Sequence, residues 1–445
     1  METIIEKVEK FSRSITVKAV IIGVLTLIML IPGFMIQDLI SERQKRSQET
    51  IEKINAKWSN AQTINGPVLA IPYTNSRVDE KKDLLTENHM LYIVPEMLII
   101  NTKLIPEERH YGIYKSILYK SEIKLSGKFK KLDIQLPADS HINWKEASVR
   151  IGISDLRGMT NDLDFILNDS HFPVEAGGLQ DAIGQGLVVS LKDIDLSNMA
   201  KELNFTCHLK LNGSSNINFI PVGKTTRVQM VGAWKSPGFI GSFSPEYKID
   251  DKGFTANWNV LHFNRNIPEL WTDQQIRSFG ETSFGVNLVD TVDQYQQNMR
   301  SAKYAIMFIA LTFVVFFFVE ILTQKKIHPL QYLLVGIALI LFYSLLLSIS
   351  EQLNFGTAYL IASVATIGLI VGYARSIFKN NLSTAILGIF LSILYVFLYV
   401  VLQLEDIALL FGSIGLFAIL GVIMHFSGKI NWYKQEPSEK NSIIE

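Results

Sequence analysis

Cysteine is almost absent: Cys207 is the single one in 445 residues. An intrachain disulfide and a metal site built from several cysteines are therefore excluded. Charge is sparse too, at 19% of residues against 48% hydrophobic, and the formal net charge is zero. No H-E-x-x-H motif occurs, and the eight histidines are scattered along the chain. Neither a metal nor a cofactor is expected.

Two common catalytic machineries are missed narrowly. "VGKTT" (222–226) resembles the end of a phosphate-binding loop, but Asn218 stands five residues before Gly223, where the pattern requires glycine. It reads as a turn. "GISDL" (152–156) carries Leu156 where a nucleophile elbow needs its second glycine. The pairs Asp162/Asp164 and Asp193/Asp195 lack the Gly and Glu of a calcium loop and read as solvated acids. No catalytic residue is assigned.

What the chain does have is apolar length. Its mean hydropathy is +0.22, and the surplus is concentrated. Residues 17–36 contain one charge, Lys18, and later runs cover 302–322, 330–349, 355–374, 383–402 and 407–426. Each is long enough for a hydrocarbon core about 30 Å thick. The first ends in "LIPGFMIQDL" without an A-x-A site, so it reads as an uncleaved anchor. The last four contain no Asp, Glu, Lys or Arg, which argues against an ion-coupled transporter. Glu320, close to the end of its run, reads as a side chain snorkelling out of the bilayer.

Loop charges give the orientation. Lys325, Lys326, Arg375, Lys379, Lys429, Lys434 and Lys440 fall in one set of loops and the tail, whereas the alternate loops hold Glu351, Glu405 and Asp406. The positive-inside rule puts residues 1–16 and 427–445 in the cytoplasm and 37–300 on the far side.

Within that far region, residues 37–60 read as a charged helix. Ile51, Ile54 and Trp58 form a stripe, and Glu42/Arg46, Lys45/Glu49 and Glu49/Lys53 are opposite charges at i,i+4. Acids interleave with bases there, so nucleic acid is not an expected partner. From 61 to 300 the period changes to two. "LNFTCHLKL" (203–211) puts Leu203, Phe205, Cys207, Leu209 and Leu211 on one face and His208 on the other. Cys207 thus reads as core and His208 as solvated. Ile117, Tyr119, Ile123, Leu125 and Phe129 share a parity that Leu132, Ile134 and Leu136 reverse, marking a bulge or turn near Lys130. The pattern predicts an antiparallel, β-dominated, sandwich-like domain with one or two short helices near residues 160–200.

Three long stretches carry a resemblance: 283–320, 327–362 and 395–417, supported by "GPVLAIPY" (66–73), "SDLRG" (154–158) and "WKSPGFIGSFSP" (234–245). Together they resemble the CreD family of bacterial inner-membrane proteins over the whole chain. The six apolar runs predict six transmembrane helices, one N-terminal and five C-terminal, and the resemblance implies a matching architecture of one N-terminal span, a large periplasmic domain and a C-terminal cluster of spans. It also implies a role in cell-envelope integrity, tied to the Cre two-component regulon, envelope stress, β-lactam response and colicin tolerance. It brings no catalytic residue.

Two groups of residues are candidates for function. Asp290, Asp293, Tyr295, Gln296, Gln297, Asn298, Arg300 and Lys303 lie where the domain passes into the second span. Without Pro or Gly, the stretch predicts one unbroken helix that couples domain to bilayer, with Arg300 and Lys303 at the headgroups. Ala358, Ala362, Gly368 and Gly372, with Ala365 between them, suit close helix packing within the bundle or in a homo-oligomer. The expected function is non-catalytic: support of the envelope and its stress or β-lactam response, by a domain that binds an envelope protein, lipid or cell-wall ligand. The alternatives are a lipid-handling or transport protein using the five-helix bundle, and a membrane-bound hydrolase built on Asp155, Arg157 and His208.

Overall fold

The computed structural model describes residues 15–78, 84–130, 134, 136–137, 139–177, 183–192, 194, 202–274, 279–288, 293–323, 327–404 and 407–428. The chain forms two compact units, Met1–Arg46 with Val292–Glu445, and Ser47–Thr291.

Pro32 shapes the first helical stretch. Helix α1 (Ile15–Ile28) gives way at Met29 to α2 (Leu30–Trp58). A proline at position 32 has no N–H for the carbonyl of residue 28, and its ring crowds that carbonyl, which places the break there. After it α2 runs 29 residues without interruption, so the charged stretch of 37–60 continues the apolar helix.

The β-rich unit contains β1 (Gln62–Val78), β2 (Leu84–Ile93), β3 (Met97–Tyr111), β4 (Tyr114–Phe129), β5 (Ser140–Ile142) and β6 (Ser148–Ile153). Next come β7 (Asp164–Leu167), β8 (Ser170–Gly177), β9 (Gly186–Ser190), β10 (Leu203–Ser214), β11 (Asn216–Ile220) and β12 (Thr225–Gly232). The last are β13 (Pro237–Gly241), β14 (Glu246–Asp250), β15 (Gly253–Leu261), β16 (Leu270–Thr272) and β17 (Phe284–Leu288). One sheet pairs in the order β14-β15-β12-β3-β4-β10-β7-β8. The other runs β8-β9-β6-β1-β11-β17-β13, with β5 and β2 along the second half of the long β1 and β16 paired to β2. Inward side chains of both sheets, among them Leu69, Val149, Leu125 and Cys207, meet in one core. This is the expected sandwich with a correction: β1 runs parallel to β11 and β3 parallel to β12.

A second correction concerns residues 160–200. No α-helix lies among the described residues there; β7 and β8 form a hairpin instead. Asn168 and Asp169 both take positive φ, 45° and 66°, the backbone of a two-residue turn that Asn and Asp tolerate best. Phe165, Leu167 and Phe172 then fall on the buried face. Ordinary helical turns elsewhere in the unit are short 3₁₀ segments at Trp144–Glu146, Leu156–Gly158, His262–Asn264 and Gly280–Thr282.

The helical unit continues with α3 (Gln294–Lys303), α4 (Ala305–Thr323), α5 (Pro329–Ser350), α6 (Phe355–Phe378), α7 (Asn381–Gln403) and α8 (Ala408–Ser427). Local chemistry sets their starts: His328 caps α5 ahead of Pro329, Asn354 caps α6 and Asn380 caps α7. Four helical stretches are long and apolar enough to cross a membrane: Val17–Trp58, α5, α6 and α7. Counting α3 with α4 as one bent span gives a fifth. Helix α8 is 20 residues long, with a shorter apolar stretch at Leu410–Gly421.

Candidate functional site

The segment expected as one unbroken helix is divided. Helix α3 ends at Lys303 and α4 starts at Ala305, with a 42° bend between them. The Tyr304 N–H turns back to Ser301 O (3.0 Å) in a tight 3₁₀ closure. Side-chain bonds hold α3 against the end of α5: Asn298 Nδ2 donates to Ser350 Oγ (2.8 Å) and Tyr295 Oη to Glu351 Oε1 (3.3 Å). No Pro or Gly marks the bend between residues 293 and 308.

Other candidate residues fall around this point. Asp293 is the N-cap of α3, accepting from the N–H groups of Tyr295 (2.9 Å) and Gln296 (3.2 Å), and from Gln44 Nε2 (3.3 Å). Arg300 Nη2 donates to Leu404 O (3.3 Å), and Arg43 lies 3.9 Å from Glu351. Asn298 is buried, Gln297 half-buried, and Gln296 and Lys303 exposed. Asp290 lies outside the described residues. The arrangement is a polar knot joining α2, α3, α5 and the end of α7.

A second polar node lies elsewhere in the helical unit, and it corrects the reading of Glu320. Its carboxylate is 4% exposed rather than snorkelling. Oε1 accepts from Lys18 Nζ (2.5 Å) and from the Ile327 N–H (3.1 Å), and Oε2 from Tyr332 Oη (2.9 Å). One carboxylate thereby links α1, α4 and the start of α5. The signal in the sequence was Lys18, the single charge of the first apolar run.

In the β-rich unit, Asp155, Arg157 and His208 do not form one site. Asp155 accepts from Arg157 Nε (2.8 Å), Nη2 (2.7 Å) and N (3.2 Å), and from the Asn60 N–H (2.9 Å). Arg157 holds its carboxyl down at about 2. Arg157 Nη1 reaches on to Ala56 O (3.0 Å), one of the terminal carbonyls of α2. Gln62 Nε2 donates to Ser59 Oγ, Asp155 O and Asn212 O. A Cβ on Gly158 would meet Asn212 O at 2.3 Å, so glycine is required. "SDLRG" is thus a clamp on the helix end. His208 sits instead on the solvent face of β10.

The remaining motifs are structural. In "VGKTT", Gly223 O accepts from Arg265 Nε (2.9 Å), and Lys224 lies 3.4 Å from Glu269. Cys207 is fully buried, and burial pushes its thiol up to about 12. Asp193 and Asp195 lie outside the described residues. Among the described residues no group of three metal-ligating side chains occurs.

On α6, Ala358 and Ala362 are fully buried. A Cβ on Gly368 or Gly372 would touch nothing within 4 Å. An open groove of about 700 Å³ runs between α6 and α7, with Val371, Gly388 and Ile393 along it and Arg375 and Asn381 at one end.

The chain matches the family model described as "Inner membrane protein CreD" over residues 14–433. It is 30% identical to the Inner membrane protein CreD of Escherichia coli (strain K12) over 414 residues, covering 92% of this chain and 91% of that protein.

Proposed function

Because the chain belongs to the CreD family of inner membrane proteins, we propose that it is a non-catalytic factor supporting envelope integrity under envelope or β-lactam stress. In this reading six helices span the membrane, both termini are cytoplasmic, and the β-rich domain binds an envelope component in the periplasm. The carrying observation is the fate of Asp155 and Arg157. The pair best suited to acid–base chemistry is spent on holding the end of α2, and His208 stands apart from it. Helix α2 and the polar knot at α3 would carry a change in the domain to the helical unit.

One experiment tests side and partner together. The native thiol is buried and its pKa high, so it stays unreactive near pH 7. Asn259, exposed on β15, accepts an introduced cysteine. A membrane-impermeant, thiol-directed photo-cross-linker applied to intact cells with a permeable outer layer should label Asn259→Cys and capture an envelope component on illumination. No labelling without lysis would overturn the orientation. Labelling without capture, across several envelope stresses, would overturn the binding role.

The groove between α6 and α7 favours a second reading, lipid handling. Its length is apolar and small-residue, while Arg375 and Asn381 offer charge and hydrogen bonds at one end, the arrangement that suits a phospholipid. Gly388→Leu, which fills the groove beside Val371, should strip the lipid retained by the purified protein. Unchanged retention would remove this reading.

A further inference from the structure

The outward face of the β12-β3-β4-β10 sheet has a charge pattern that the fold does not need. Glu122 on β4 lies opposite Lys103 of β3 on one side and Lys210 of β10 on the other. Along β4 itself, Lys120 and Lys124 stand two residues before and after it, on the same exposed face. Four ammonium groups therefore surround one carboxylate. Strands are about 4.8 Å apart and same-face neighbours about 6.8 Å apart along a strand, so all four fall within the span of a short oligomer. Among the described residues, none of these lysines reaches a carboxylate within ion-pair distance. An open depression of about 700 Å³ lies over the face, and Glu122 is the single carboxylate lining it. Hydrogen-bonding groups flank the lysines: Asn101 and His208 lie opposite Lys124, and Gln229 opposite Asn101.

Each lysine has Glu122 as its charged neighbour, so the pairs themselves are of opposite sign. Four cations against one anion nevertheless leave the cluster with an excess of positive charge, in a chain with no net charge. We propose that the face binds a linear, phosphate-bearing polyanion of the envelope. The proposal rests on the reading of the β-rich domain as a binding module and names its ligand class. Complementary charge supplies the attraction. The identity of the cations supplies the choice of group: no arginine lines the depression, so the planar fork that matches a carboxylate is missing. Lysines act as separate point charges that suit tetrahedral phosphates.

The test uses the full-length protein in neutral-lipid nanodiscs, with linear polyphosphate as probe and poly-glutamate and inorganic phosphate as comparisons. Polyphosphate should bind, with affinity falling as salt rises. The variant Lys103→Ser/Lys124→Ser/Lys210→Ser should weaken it roughly 30-fold, with an unfolding midpoint like that of the parent. Glu122→Gln should tighten it about 3-fold, a gain that loss of folding cannot produce. Polyphosphate binding that ignores the lysine variant, or poly-glutamate binding equally well, would overturn the assignment. If the cross-linker on the domain captures a component while polyphosphate fails, the ligand class falls and the binding role stands. Failure of both removes both.

Discussion

Lys18→Met leaves Glu320 as a buried carboxylate without its cation and should destabilise the helical unit by about 3–5 kcal/mol. The carboxylate stays bonded to Tyr332 Oη and the Ile327 N–H, but two neutral donors do not replace a cation in a low-dielectric surround. Glu320→Ala should cost as much, because it strands Lys18, Tyr332 and a backbone N–H together. The informative variant is the double one, Lys18→Met/Glu320→Gln. The amide oxygen of Gln still accepts from Tyr332 or Ile327, and no charge remains, so stability should return to within about 1 kcal/mol of the parent. Thermal unfolding of the detergent-purified chain, read by tryptophan-independent helix content, checks the cycle. Costs that simply add in the double variant would show that the two charges are not coupled.

Glu320 also shows what a sequence hides. Its position near the end of an apolar run fits a snorkelling side chain as well as a buried one, and local pattern does not distinguish them. The distinction comes from Lys18, roughly three hundred residues away, and from Tyr332 on the next helix. The same holds at α3. Absence of Pro and Gly argued for one helix, but the bend arises from tertiary bonds of Asn298 to Ser350 and of Tyr295 to Glu351. Where the signal is periodic, legibility was high. β10 alternates buried and exposed residues as "LNFTCHLKL" dictates, because one face meets the core and the other meets water. In the described part of 160–200, strands stand where short helices are expected, because the period there is short and its punctuation, Asn168-Asp169, is a weak turn pair without glycine. Parallel pairing of β1 with β11 and β3 with β12 left no local trace at all. Family membership, by contrast, was legible in long blocks and short supporting stretches, and the clamp explains one of the short ones. "SDLRG" is specific because four of its five positions have a partner: Ser154 bonds Ala61 O, Asp155 and Arg157 hold α2, and Gly158 admits Asn212 O.

That clamp carries the second large effect. Asp155→Ala removes the acceptor for four donors, Asn60 N, Arg157 N, Arg157 Nε and Arg157 Nη2. Bonds to a charged acceptor contribute about 1.5–3 kcal/mol each at best and are shared here, so a local loss of about 3 kcal/mol is expected. Arg157→Ala should cost less, because Asp155 keeps Asn60 and the guanidinium is exposed and solvated. Lys57 lies in the last turn of α2, beside the clamp, and provides a local readout. If opening is fast relative to cleavage, trypsin should cut after Lys57 about 100-fold faster in Asp155→Ala than in the parent. Acid should imitate the substitution. The carboxyl falls from 3.8 to about 2 on folding, so its contribution is complete above about pH 4 and is lost as pH falls through about 2. Helix-end protection, followed by amide exchange at Asn60, should decline over that window in the parent and show no such step in Asp155→Ala. Equal cleavage after Lys57 in both proteins would mean that the helix end is held by Asn55, Trp58 and their partners instead.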